Sequence, residues 1–247
     1  MEKKRKFIWI YVALAFLMFI PLYTEKPYDP RQTTDVIKSL LMVVTDPYAA
    51  FAPIFHIGTI VLVILMILLR EKSSRIFTGY FGVNFLVIAF VNSIGSTEKY
   101  GRVVMTSTLV LCLIIGILWV IETFRPKTTA GFKGVLPYKY FFLPLPLLVF
   151  WSPFNAQVKP DFNPALLLNA PSYGMTFCFT MPVFLFFLIL FHPKVNVFSL
   201  KITSFIGLMY GLVNMQWFFT PGMSWMGILH LPLLILSLYG MLLRRNA

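Results

Sequence analysis

Apolar residues gather in eight runs along the chain, at about 7–23, 52–69, 77–95, 103–124, 140–154, 172–191, 202–219 and 225–243, and most of the stretches between them are short and polar. A helix needs roughly 20 apolar residues to cross a hydrocarbon core about 30 Å thick. The runs therefore predict an all-α fold, a polytopic membrane helix bundle of eight transmembrane helices in a single domain over residues 1–247. The fifth run is the shortest and carries Pro144 and Pro146.

Two connections are longer than the rest. From Thr33 to Asp46, Val36, Ile37, Leu40, Leu41, Val43 and Val44 recur at helical spacing with Asp35, Lys38 and Ser39 between them. This predicts one amphipathic helix at the outer interface. It is expected to pack on the bundle as a lid, with a moving gate as the alternative. Pro47 and Pro53 punctuate the entry to the second run. The other connection, about 155–171, is rich in Asn and Pro and includes Leu166-Leu167-Leu168, a composition that lets it dip back towards the membrane. It contains Asn163-Pro164-Ala165, a tripeptide that aquaporins carry twice on two half-helices. A single copy in a proline-rich loop does not make that arrangement.

Charge then orients the bundle. Apolar residues make up 58% and charged residues 12% of the chain, and mean hydropathy is +0.80. A soluble domain carries roughly twice that charge fraction, so soluble enzymes, nucleic-acid binders and disordered regulators are excluded. With the N-terminus inside, the inner segments hold Lys3 to Lys6, Arg70, Lys72, Arg75, Arg125, Lys127, Lys133, Lys139, Lys194, Lys201, Arg244 and Arg245, fifteen of the 21 basic residues. The outer segments hold the other six and also six of the nine acids, so the whole net charge of +12 falls inside. The positive-inside rule thus predicts both termini in the cytoplasm. The basic start followed by Phe7–Leu22 without a small-x-small site reads as a retained signal anchor. Absence of an Asn-x-Ser/Thr sequon leans towards a prokaryotic cytoplasmic membrane.

Ionisable groups inside a membrane are costly and tend to mark function. Here the middle third of every run lacks them. Glu122 comes closest, and is expected to snorkel to the inner surface and pair with Arg125 or Lys127. Proton-coupled carriers, voltage sensors and two-carboxylate chemistry are disfavoured on that ground. Neutral polar residues remain. His56, Asn92, Ser93, Ser96, Thr106 to Thr108, Asn214, Gln216 and His230 all fall in the outer half. Their common depth suggests an outward-facing polar pocket, with His56, Asn92, Asn214, Gln216 and His230 as candidate ligand-binding residues. The alternative is interhelical hydrogen bonding with no ligand.

Ser204, Gly207, Gly211 and Asn214 recur at spacings of three and four, a face that lets another helix approach and Asn214 bond across the contact. Gly79 and Gly82 suggest a second such contact. Pro182 and Pro232 lie inside later runs, as in the broken helices of carriers and of ordinary bundles. The 26 phenylalanines read as lipid-facing filler. Cys112 and Cys178 read as buried thiols.

His56 and His230 lie at like depth on different helices, the arrangement that bis-histidine haem b needs. Met223, Met226 and His230 share a helix face that could hold copper as Cu(I). Hydrogen-bonded histidines and gap-filling methionines account for both patterns, and no cofactor is the working expectation. Three functional classes stay open: a protein binding or transporting a small neutral or apolar solute, a non-catalytic subunit or assembly factor partnered with other membrane subunits, and a membrane redox protein. The first is the working hypothesis; an enzyme is not favoured.

Overall fold

A computed structural model describes residues 2–45, 49–155 and 157–243. Asp46, Pro47, Arg244 and Arg245 lie outside the described residues. Every apolar run forms helix. These are α1 (Glu2–Met18), α3 (Ala52–Leu68), α4 (Ser74–Val91), α5 (Thr106–Phe124), α6 (Pro144–Trp151), α8 (Phe177–Phe191), α9 (Val197–Asn214) and α10 (Ser224–Leu242). The amphipathic segment is α2 (Thr33–Thr45), and Leu166–Asn169 forms a single turn, α7.

Among the described residues, five helical segments are long and apolar enough to cross a membrane: Ala49–Leu68, Arg70–Val91, Thr106–Phe124, Val197–Phe219 and Ser224–Leu242. The apolar parts of α1 (Phe7–Met18) and α8 are shorter. At 1.5 Å per residue, the 15 residues of α8 reach about 22 Å. Pro144 lies in the first turn of α6, which has eight residues and follows a 3₁₀ stretch at Pro137–Phe142. Proline fits a helix start because the missing N–H has no partner to lose there.

Helix α8 is the centre of the bundle, packed against α4, α6, α9 and α10. All its residues except Cys178 are buried. A helix apolar on every side can face lipid or protein; here protein surrounds it. Phe184 stacks on Phe81 at 4.2 Å and meets Trp119 edge-on at 4.8 Å, with Phe77 and Phe85 within 5.7 Å. Phe77, Phe81, Phe85, Phe177 and Phe184 are thus core residues, and the reading of phenylalanine as lipid-facing filler fails for them. Lipid is as apolar as phenylalanine, so these rings gain packing and ring-edge contacts rather than escape from water.

Small residues set the two closest helix pairs. A Cβ at Gly82 on α4 would sit 2.8 Å from the Val120 backbone nitrogen of α5. A Cβ at Gly211 on α9 would sit 2.9 Å from the Leu234 Cα of α10. One and two turns earlier on α9, Gly207 faces Ser237 and Ser204 faces Gly240.

A small sheet caps the end of the bundle where α4 ends and α5 begins. β2 (Ile94–Thr97) and β3 (Gly101–Val104) form a hairpin, with Ile94 opposite Val104, and β1 (Tyr23–Thr24) pairs with the other edge of β3. The sequence predicts helix to residue 95 and again from 103; helix instead stops at Val91 and resumes at Thr106. Gly101 closes the turn at φ +65°, a left-handed conformation that glycine adopts without strain. Val36 and Leu40 of α2 are buried with Tyr100, Val103 and Met105, so the amphipathic helix packs on the sheet. The hairpin supplies the surface that its apolar stripe needs.

Candidate functional site

The outer polar residues divide among several separate environments. His56, on α3, is fully buried. Its Nε2 donates to the Ala170 carbonyl at 3.1 Å, and its ring packs on Phe150 and Tyr173. Asn92 ends α4, and its Oδ1 is buried without a hydrogen bond among the described residues. Asn214 donates to the Tyr210 carbonyl of its own helix at 2.8 Å and to Cys178 Sγ at 3.4 Å, and accepts from Trp217 Nε1 at 2.9 Å. It therefore reaches a second helix, α8, through Cys178. Gln216 is exposed in the 3₁₀ turn Met215–Phe219. His230 is buried in α10, where Nδ1 donates to the Met226 carbonyl at 2.7 Å and the ring meets the edge of Phe179.

The ring partners of His56 and His230 have no residue in common. One nitrogen of each ring is already engaged by a carbonyl. Met223 and Met226 are partly buried near His230. Among the described residues no three of His, Cys, Asp and Glu come together.

A connected polar network lies behind His56, built from residues that the sequence reading passed over. Tyr173 and Thr59 are hydrogen-bonded at 2.7 Å, Thr59 and Tyr80 at 2.9 Å, and Tyr80 donates to the Phe55 carbonyl at 2.9 Å. Each hydroxyl has one proton, so the chain runs from Tyr173 through Thr59 and Tyr80 to Phe55. Beside it, Asn84 donates to the Gly174 carbonyl at 2.8 Å, and the Gly174 N–H donates to Thr180 Oγ1 at 2.9 Å. Gly174 takes φ +81°, and a Cβ there would collide with Phe55. Asn84 was findable as the one amide in the middle of an apolar run.

In front of this network, α3 and α4 part. They pack far less closely than α4 and α5, and the Tyr80 ring bridges them by lying against Gly58. Two apolar hollows open there, sharing Phe55 and Val87. One of 250 Å³ is lined by Phe51, Ile54, Phe55, Val87, Val91 and Met175. The other, of 370 Å³, adds Ile76, Gly79, Tyr80, Val83 and Asn84. Their α4 residues recur every three or four positions, which makes one lateral groove along a single helix face. None of His56, Asn92, Asn214, Gln216 and His230 lines it.

At the basic end of the bundle, buried polar groups act as ties. Glu122 is 3% exposed. It accepts from the Lys127 backbone N–H and from Asn196 Nδ2, each at 2.6 Å. This replaces the expected ion pair, because the loop folds back over the end of α5 and presents backbone and amide donors. Lys139 is buried and donates to the carbonyls of Leu190 and His192 at the end of α8. Burial holds its ammonium below the ordinary lysine range. Lys201 does the same for Gly240 and Met241 at the end of α10. Both cations satisfy carbonyls that a helix end leaves free.

The apolar helices are those of an integral membrane protein. Comparison with family models, curated proteins and solved structures finds no match.

Proposed function

We propose that this protein binds an apolar ligand that enters sideways from the bilayer and lies in the groove between α3 and α4. The groove itself carries the reading: two neighbouring open hollows with apolar walls share Phe55 and Val87, and only Tyr80 and Asn84 lend them polar character. Binding is favoured over conduction because the centre of the bundle is filled by α8 and its phenylalanine contacts. The charge distribution supports eight membrane segments with both termini in the cytoplasm. Photolabelling with an alkyl diazirine, mapped by peptide mass spectrometry, tests the reading. Labels are expected to concentrate on Phe51–Phe55 and Ile76–Val91 relative to other exposed apolar positions such as Leu212 and Val213. Equal labelling of all these positions would refute it.

A further inference from the structure

Resting on the groove as a binding site, we infer that its ligand is an anionic phospholipid, with one acyl chain between α3 and α4 and its phosphate on the basic turn that joins them. The groove is asymmetric. At one end its lining is Phe51, Ile54, Val91 and Met175, all apolar. At the other its lining ends at Ile76 and Gly79, next along the chain to Arg70, Lys72 and Arg75, all exposed. Arg75, Gly79, Val83, Val87 and Val91 follow at four-residue steps, so Arg75 continues the groove face of α4 by one turn. The acid in this turn, Glu71, is engaged by Lys194 at 2.9 Å. Arg70, Lys72 and Arg75 have no acidic partner among the described residues.

Length agrees with charge. From Ile76 to Val87 the helix rises about 16 Å, and one leaflet of hydrocarbon is about 15 Å deep, half of the 30 Å core. A chain anchored by a headgroup beside Arg75 would fill the larger hollow and end near Val87. Surplus positive charge at the headgroup position selects a net negative lipid over a zwitterionic one with the same chains.

The test uses the full chain in detergent, titrated with dioleoyl phosphatidylglycerol or dioleoyl phosphatidylcholine and read by native mass spectrometry. Each basic residue near the headgroup should contribute about five-fold, so Lys72 and Arg75 together account for about 25-fold of the preference for the anionic lipid. The Lys72→Ser/Arg75→Gln variant should weaken phosphatidylglycerol binding about 25-fold more than phosphatidylcholine binding, leaving only the share of Arg70. Val83→Trp, at a position 56% exposed, should fill the groove without disturbing the core and weaken both lipids. Equal binding of the two lipids, still lost with Val83→Trp, would overturn the headgroup assignment and leave the groove reading standing. A preference that survives undiminished in the Lys72/Arg75 variant would also overturn the assignment. Indifference of both lipids to Val83→Trp would overturn the groove reading and this inference together.

Discussion

Replacing Glu122 separates a buried tie from a solvated end charge. The carboxylate holds two donors at 2.6 Å, the Lys127 backbone N–H and the Asn196 amide. It thereby joins the end of α5 to the following loop and to the start of α9. A hydrogen bond to a charged group contributes about 1.5–3 kcal/mol. Glu122→Ala removes both charged bonds from part-buried donors and should cost about 3–5 kcal/mol. Glu122→Gln keeps an acceptor for Lys127 but turns an NH₂ group against the NH₂ of Asn196. Asn196 cannot escape by flipping, because its Oδ1 accepts from the Phe198 N–H at 3.1 Å and caps α9. The glutamine variant should therefore lose one charged bond, about 1.5–3 kcal/mol. Unfolding by SDS titration, followed by circular dichroism, gives the three stabilities, and a double-mutant cycle with Asn196→Ala isolates the pair. A cost for alanine of only about 0.5 kcal/mol, as at an exposed site, with no coupling to Asn196, would refute this geometry.

Three other outcomes follow from local contacts. Gly211→Val places a side chain on the backbone of Leu234, 2.9 Å from its Cα, and should destabilise by about 1–3 kcal/mol in the same titration, whereas Leu212→Ala on the exposed face should stay within about 0.5 kcal/mol. Arg70 holds φ +52°, which a non-glycine residue adopts at a cost, so Arg70→Gly should raise stability by about 0.5–1 kcal/mol after allowing for the freer unfolded chain. Lys139 has a folded pKa lowered by burial, so above that pKa the unfolded chain binds more protons, and stability should rise with pH until the ordinary lysine value of 10.5 is passed. Lys139→Met should lack that rise, and identical pH profiles for the two proteins would contradict it.

What the sequence made legible depended on whether a residue's partner lay on its own helix. The stripe of Val36 and Leu40 marks α2 because an amphipathic period is local. The hairpin at Ile94–Val104 was missed because a few apolar, β-branched residues at a helix end look like more helix. The role of α8 was hidden for a different reason. FCFTMPVFLFFLILF is equally consistent with lipid or protein on all sides, and only the packing of α4, α6, α9 and α10 decides it. Glu122 stood out in the sequence, but its donors did not, because they are a backbone N–H in the loop after α5 and the amide of Asn196, 74 residues away. The groove was illegible for the same reason: it is a space between two helices, and apolar residues lining a space look like apolar residues facing lipid.

The polar residues and the groove also compete as places for a ligand, and energetics favours the groove. His56 has spent a donor on Ala170, and Asn214 is occupied by Tyr210, Cys178 and Trp217. Thr59, Tyr80 and Tyr173 are committed to one another and to the Phe55 carbonyl. A polar solute entering there would have to replace bonds worth about 0.6–2 kcal/mol each in a membrane interior before gaining any of its own. At the same end of the bundle α2 and the sheet pack together through Val36, Leu40, Tyr100 and Val103. A chain sliding between α3 and α4 breaks no hydrogen bond and displaces only other lipid. The satisfied network behind Tyr80 and Asn84 then does mechanical work, holding the two helices apart at a fixed spacing while Tyr80 bridges the gap to Gly58.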